Sequence, residues 1–345
     1  YLILFLLLLV SFEFSSRLFW NKMYDVPVPS PHEIVASLYP SLKPLFAMDE
    51  QDQTFDILLL GGSVLGQVYK PLKEKLEKLN LPIKVYSAST PGHTSMDSFY
   101  KYKFLGNKQF DLVVFYHGIN EVRANYIEPN SFKIDYSHFY WYSVLAALDS
   151  HFEHPYIVFP FTIHFLYLTL NKIILNEPGH TREIPRFKYL DYGEKVNSAT
   201  TFEYNLKNLV RLTRERGSKF MLMTFANNTP EGGLPQFSEE RYKKIYKDFI
   251  ALGLSWCCPI EIWGKPEHTL NGIKIHNDVI NKFVKQNQDV IFVDQDKNLS
   301  NKHSLFSDVC HFRPEGIQKF IQLMEPHLWN HMEPHLQNII DNQRL

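Results

Sequence analysis

Cysteine is scarce in this chain: 345 residues hold three, Cys257, Cys258 and Cys310. That excludes a disulfide framework, and no zinc-ligand spacing can be assembled from them. The adjacent Cys257 and Cys258 read as small buried hydrophobes. Net charge is lacking too: 36 basic residues against 37 acidic ones leave a formal charge of -1. No overall field would draw nucleic acid to such a chain, so nucleic-acid binding is disfavoured. There is no extended polar or low-complexity block, and 45% hydrophobic against 21% charged residues is enough to bury a sizeable core.

Long apolar runs are few. Tyr1 to Phe14 is apolar apart from Ser11 and Glu13, yet it falls short of the ~20 residues a bilayer-spanning helix needs. With no methionine at its start, it reads as the tail of a truncated signal anchor or transmembrane helix over residues 1–20. The membrane is then one partner, and the rest of the chain lies outside the cytoplasm, in a periplasm, at a cell surface or in a lumen. Residues 21–54, punctuated by Pro27, Pro29, Pro31 and Pro40, read as an extended connector packed on the domain that follows.

From residue 55 the pattern alternates. Phe55 to Leu60 is a short apolar run ending in Gly61-Gly62-Ser63, which suits a buried parallel strand entering a turn. Leu65, Val68, Leu72, Leu76 and Leu79 then recur at helical spacing. Further strands are expected at Ile83 to Ala88, Asp111 to Tyr116, Lys219 to Phe225 and Val290 to Asp294, with helices between them and a last helix opening at Pro314. Five such strands predict a three-layer α/β/α domain over 55–345, with a five-stranded parallel sheet in flavodoxin-like order. Residues 136–198 break this rhythm. They hold the run Pro155 to Leu175, interrupted by Pro160, His164, Asn171 and Lys172, and read as an aromatic-rich insertion over the functional face, as a lid or a membrane-facing wall.

In an open parallel sheet, ligands gather at the carboxyl ends of the strands. Ser63 sits there, behind two glycines and at the start of a helix, which suits a nucleophile but equally a capping serine. The second strand ends near Gly92, where a bare backbone can approach a bound group. The third ends in His117-Gly118-Ile119-Asn120-Glu121, placing an amide donor at the same rim. Asp308 and His311 lie after the fifth strand, spaced so that one tight loop holds a carboxylate against an imidazole.

Together these four pieces resemble the SGNH, or GDSL-like, hydrolase family. Its blocks are a nucleophilic serine, an oxyanion glycine, an oxyanion asparagine in Gly-x-Asn-Asp, and Asp-x-x-His; here they fall on Gly61 to Ser63, Gly92, Gly118 to Glu121, and Asp308 to His311. The resemblance covers roughly Phe55 to Leu328. Two positions depart from it: Gly62 where the family has Asp, and Glu121 where Asp is usual. The resemblance implies the SGNH hydrolase fold and a serine esterase, in which Ser63, His311 and Asp308 form a triad. The Ser63 and Gly92 N–H groups and the Asn120 side chain would form the oxyanion hole.

The expected substrate is an ester-linked acyl group on an envelope carbohydrate or lipid, and no metal or other cofactor is required. An acyltransferase onto a polysaccharide, using the same triad beside a membrane-protein partner, is the alternative. A catalytically idle scaffold or accessory subunit of a membrane complex is another, and its mark would be a displaced Ser63 or a filled pocket. His93, His117 and Arg123 border the site and are candidate substrate-binding residues. His151 and His154 lack a third ligand and make no metal site.

Overall fold

The structure, a computed structural model, describes residues 1–27, 29–48, 54–152, 157–252 and 258–343. The chain divides into two compact units, one comprising Tyr1–Met48, Tyr100–Gly106 and Asp135–His180, the other Asp49–Phe99, Asn107–Ile134 and Thr181–Leu345.

The larger unit is built on a five-stranded sheet. Its strands are β1 (Phe55–Gly61), β2 (Ile83–Ser87), β3 (Leu112–Tyr116), β4 (Lys219–Met223) and β5 (Ile291–Val293). All pair in parallel, in the order β2-β1-β3-β4-β5, which is the flavodoxin-like order expected. Ile57, Leu58, Leu59 and Leu60 of β1 are all fully buried. Consecutive residues of a strand point to opposite faces, so this run needs cover on both, and helices supply it. These are Ser63–Glu77, Ser198–Glu215, Glu239–Leu252, Pro266–Gln286 and Pro314–Gln343.

The last helix accounts for a short internal repeat, Met-Glu-Pro-His-Leu at 324–328 and 332–336. Met324, Leu328, Met332 and Leu336 recur every fourth residue and are all buried, so the repeat sets one continuous apolar face against the core.

The smaller unit is helical. Leu2–Tyr24 is long and apolar enough to cross a membrane, and most of its large apolar side chains are exposed. It packs on Phe159–Leu175, which also contacts Tyr140–His151. Glu13, the one acid in the apolar run, accepts the Val158 and Phe159 N–H groups at 2.9 and 3.0 Å and pairs with Arg17 at 2.7 Å. The carboxylate thus caps a helix N-terminus whose amides lack intrahelical acceptors. Trp20, fully buried, stacks on Phe161 at 5.5 Å and donates to Thr162 Oγ1 at 3.0 Å.

Two expectations need correction. The proline-rich connector is not extended throughout: Pro31–Leu38, Pro40–Leu42 and Lys43–Phe46 are helical. Pro31 takes the first helical position behind Ser30, whose hydroxyl accepts the Glu33 N–H at 3.2 Å; proline is favoured there because its missing N–H has no partner to lose. The insertion also ends earlier than 198. Ile184 and Leu190 belong to the core of the sheet unit, and Tyr242 donates its hydroxyl to Pro185 O. Pro155 of the apolar run lies outside the described residues.

Candidate active site

The chain leaves β1 and enters a helix with no intervening loop, and two glycines permit this. A Cβ on Gly61 would stand 2.7 Å from Leu65 Cβ and 3.1 Å from Tyr116 O, so the turn closes only on a bare backbone. Gly62 has φ -89°, open to any residue, and its constraint is steric: a Cβ there would stand 2.9 Å from Asn120 Nδ2. Ser63 opens the Ser63–Glu77 helix, and an N–H in the first turn has no intrahelical acceptor.

Ser63 Oγ lies 2.8 Å from His311 Nε2, and His311 Nδ1 lies 2.7 Å from Asp308 Oδ2. The other carboxylate oxygen, Asp308 Oδ1, accepts the backbone N–H of Cys310 at 2.9 Å and of His311 at 2.8 Å. Burial pushes the Asp308 carboxyl up. The hydrogen bond and charge of His311, together with the two backbone donors, outweigh burial and hold it below the usual carboxylate range.

The loop carrying this pair is pinned at both ends. Phe306 and Phe312 form an antiparallel bridge, Ser307 donates its N–H to His311 O at 2.8 Å, and Arg313 donates its N–H to Leu305 O at 2.8 Å. Phe312 N–H also reaches Gln67 Oε1 at 3.3 Å, tying the loop to the serine's own helix one turn after Ser63.

Gly92 has φ +75°, a left-handed conformation that favours glycine. Asn120 donates Nδ2 to His93 O at 3.0 Å, and its Oδ1 accepts Trp263 Nε1 at 3.0 Å. The indole fixes which end of the amide faces the serine, and one Nδ2 hydrogen remains for a ligand. Glu121 is fully buried and accepts the Ser95 backbone N–H. The acid in the Gly-x-Asn-Glu block thus caps the Ser95–Phe104 helix.

Ser63, Gly92, Asn120, Arg123, Asp308 and His311 all line one cavity of about 610 Å³, closed further by Pro91, Cys258, Ile262 and Trp263. Of the candidate binding residues, Arg123 is on this wall. His93 and His117 are each 2% exposed and are absent from it; His93 Nδ1 lies 3.8 Å from Asp97, and His117 Nε2 lies 2.7 Å from Ser98 Oγ.

Sequence reasoning missed Trp263 and Gln67. Trp263 falls in a short 3-10 turn, Ile260–Trp263, where no periodicity marks a residue. Gln67 had one usable signal, its place one helical turn beyond the serine.

Cys258 also differs from expectation. It is half-buried, lines the cavity and is disulfide-bonded; Cys257 lies outside the described residues, and Cys310 is free and buried. Among the described residues, Cys258, Asp308 and His311 bring ligand-type atoms within 4.8 Å of one another. They fit a metal poorly, since a bonded sulfur offers no thiolate and the other two are engaged with each other. His154 lies outside the described residues.

No known family pattern matches the chain, and no curated protein matches it. Similar solved structures are GDSL-like lipases, acylhydrolases and esterases. A GDSL-like lipase from Bacteroides thetaiotaomicron is 13% identical, with 88% of this chain and 98% of that one covered at a TM-score of 0.42. A lipase/acylhydrolase from Enterococcus faecalis is 12% identical, with 79% and 94% covered at 0.39. An acetyl xylan esterase from Geobacillus stearothermophilus is 13% identical, with 81% and 96% covered at 0.39. All three likenesses are distant.

Proposed function

We propose that the chain is a serine ester hydrolase of the SGNH type, with Ser63 as nucleophile, His311 as general base and then acid, and Asp308 as the group that orients the imidazole. The observation that carries this reading is the unbroken series Ser63 Oγ to His311 Nε2 to Asp308, at 2.8 and 2.7 Å, opening on a cavity. With Nδ1–H donated to the carboxylate, Nε2 is left as an acceptor, which is the tautomer a general base needs.

Ser63 Oγ would attack the ester carbonyl carbon as its proton passes to Nε2. The oxyanion would meet the Ser63 N–H, the Gly92 N–H and the free Asn120 Nδ2 hydrogen, each such donor lowering the barrier by roughly 3 kcal/mol. Collapse expels the alcohol, which takes the proton from His311 and leaves an acyl-serine. Water repeats the sequence and regenerates the enzyme. A filled pocket or a displaced serine would favour an idle scaffold; the 2.8 Å contact and the open cavity weigh against it.

Leu2–Tyr24 serves in this reading as a membrane anchor, with the sheet unit outside the cytoplasm. The test is turnover of p-nitrophenyl acetate and butyrate by the full chain in detergent, beside Ser63→Ala. Turnover lost in the variant supports the serine mechanism; a folded wild type that hydrolyses neither ester, or a variant as active as wild type, removes it.

A further inference from the structure

Arg123 is 3% exposed and forms part of the cavity wall. Its Nε donates to Ile262 O at 3.1 Å and its Nη1 to Arg182 O at 3.3 Å, and the guanidinium lies over the Trp263 ring, 5.2 Å from the centroid. Every one of these partners is neutral. No carboxylate pairs with Arg123 among the described residues. Asp308, the acid on the same wall, is committed to His311 and to two backbone N–H groups. Burial depresses the guanidinium to about 10.

Two carbonyl acceptors require donors, which a neutral side chain can provide. They do not require a charge whose removal from water is strongly unfavourable. An unpaired buried cation beside an open cavity is better accounted for by an anion that arrives with the ligand.

We infer that Arg123 forms an anion subsite, and that the substrate is an ester also bearing a carboxylate or phosphate group, held by this guanidinium while its ester carbonyl meets Ser63. The inference rests on the ester hydrolase reading for the second half of that statement only. The guanidinium can donate to the oxygens of either anion from Nη2, which makes no bond within the described residues, and from the second hydrogen of Nη1.

The subsite is built together with the oxyanion donor. Asn120 and Arg123 lie three residues apart across the joined turns Ile119–Val122 and Arg123–Asn125, and one indole touches both, through Nε1 to Asn120 and through its face to Arg123. A bound anion would therefore bear on the same indole that orients the oxyanion amide. An ester without the anion leaves the buried charge unpaired, and sites of that kind reject the analogue lacking the group.

The test uses the full chain in detergent and begins with binding, which does not depend on turnover. Calorimetric titrations compare succinate and methyl phosphate with neutral succinamide. We expect at least one of the anions to bind about tenfold more tightly or better than succinamide, a gap of roughly 1.4 kcal/mol. Arg123→Gln should erase that preference and Arg123→Lys restore part of it, and the stronger of the two anions identifies the headgroup. Equal binding of all three by wild type overturns the subsite, and this comparison needs no variant to fold.

The second arm compares kcat/KM for p-nitrophenyl acetate, for 4-nitrophenyl hydrogen succinate, charged on the acyl side, and for 4-carboxyphenyl acetate, charged on the alcohol side. The larger of the two anionic-to-neutral ratios should fall about tenfold or more in Arg123→Gln. Turnover that depends on Ser63 but shows no charge preference removes the subsite and leaves the hydrolase. Anion preference in binding with no ester turned over keeps the subsite and removes the hydrolase.

Discussion

Among the described residues the sheet unit brings three serines against imidazoles, and only distance makes these pairs look alike. Ser63 and His311 are 2.8 Å apart, Ser98 and His117 2.7 Å, and Ser198 and His276 3.0 Å. Ser98, His117, Ser198 and His276 are each at most 2% exposed, whereas Ser63 and His311 face the cavity. The first pair also has a carboxylate on its far nitrogen, itself fixed by two backbone donors. Among the described residues no acid pairs with His276, and burial lowers its pKa to about 3. A close hydroxyl–imidazole contact is thus a packing solution as readily as a catalytic one. What recommends the first pair for the proposed catalysis is the Asp308 carboxylate at its far nitrogen and the cavity through which a substrate could arrive.

The largest expected contrast follows directly. Ser63→Ala or His311→Ala should lower kcat/KM for p-nitrophenyl butyrate by about a thousandfold or more, while Ser198→Ala should keep wild-type turnover and lose only about 1 kcal/mol of stability in denaturant melts. Equal losses from both serines would erase the distinction between the pairs.

Asp308→Asn comes next. With its charge gone the imidazole loses its counter-charge and the acceptor that fixes its tautomer, and a fall on the order of a thousandfold or more in kcat is expected, with KM little changed. Asn120→Ala removes one of the proposed oxyanion donors and should cost about a hundredfold in kcat. Gly62→Ala tests the close approach to that amide: its Cβ would press on Asn120 Nδ2, and a smaller loss in kcat than for Asn120→Ala is expected.

The buried pair makes a prediction of its own. An imidazole kept neutral to about pH 3 in the fold stays unprotonated while the unfolded chain gains a proton below about pH 6.5. Its stabilising contribution is complete above the unfolded pKa and declines as the pH falls toward the folded one, by at most about 1.4 kcal/mol per pH unit. Urea melts between pH 7 and 5 should show wild type losing about 1–2 kcal/mol more than His276→Gln. Parallel pH profiles for the two would contradict the neutral buried imidazole.

The sheet was legible because buried parallel strands announce themselves. Ile57 to Leu60 and Leu112 to Tyr116 are continuous apolar runs, and each ends in the glycines and polar residues that bring Ser63 and Asn120 to one rim. Asp308 and His311 were legible as a pair through their position after the fifth strand, where one tight loop can hold both side chains near the rim.

Other parts carried no such mark. Trp263 orients Asn120 across a separation of 143 residues, a tertiary relation no local pattern records. The connector was read as extended because its prolines looked like breakers, whereas a proline behind a capping serine starts a helix. Glu13 looked like an interruption in an apolar run, and its role as a cap for Phe159–Leu175 depends on a neighbour far along the chain.

The most direct test of the central claim is covalent labelling of the folded, full-length chain with a fluorophosphonate, followed by peptide mapping. The account predicts an adduct on Ser63, strongly reduced in His311→Ala, with Ser98 and Ser198 unmodified. A folded protein whose Ser63 stays unlabelled, or in which a different serine takes the label, would contradict it.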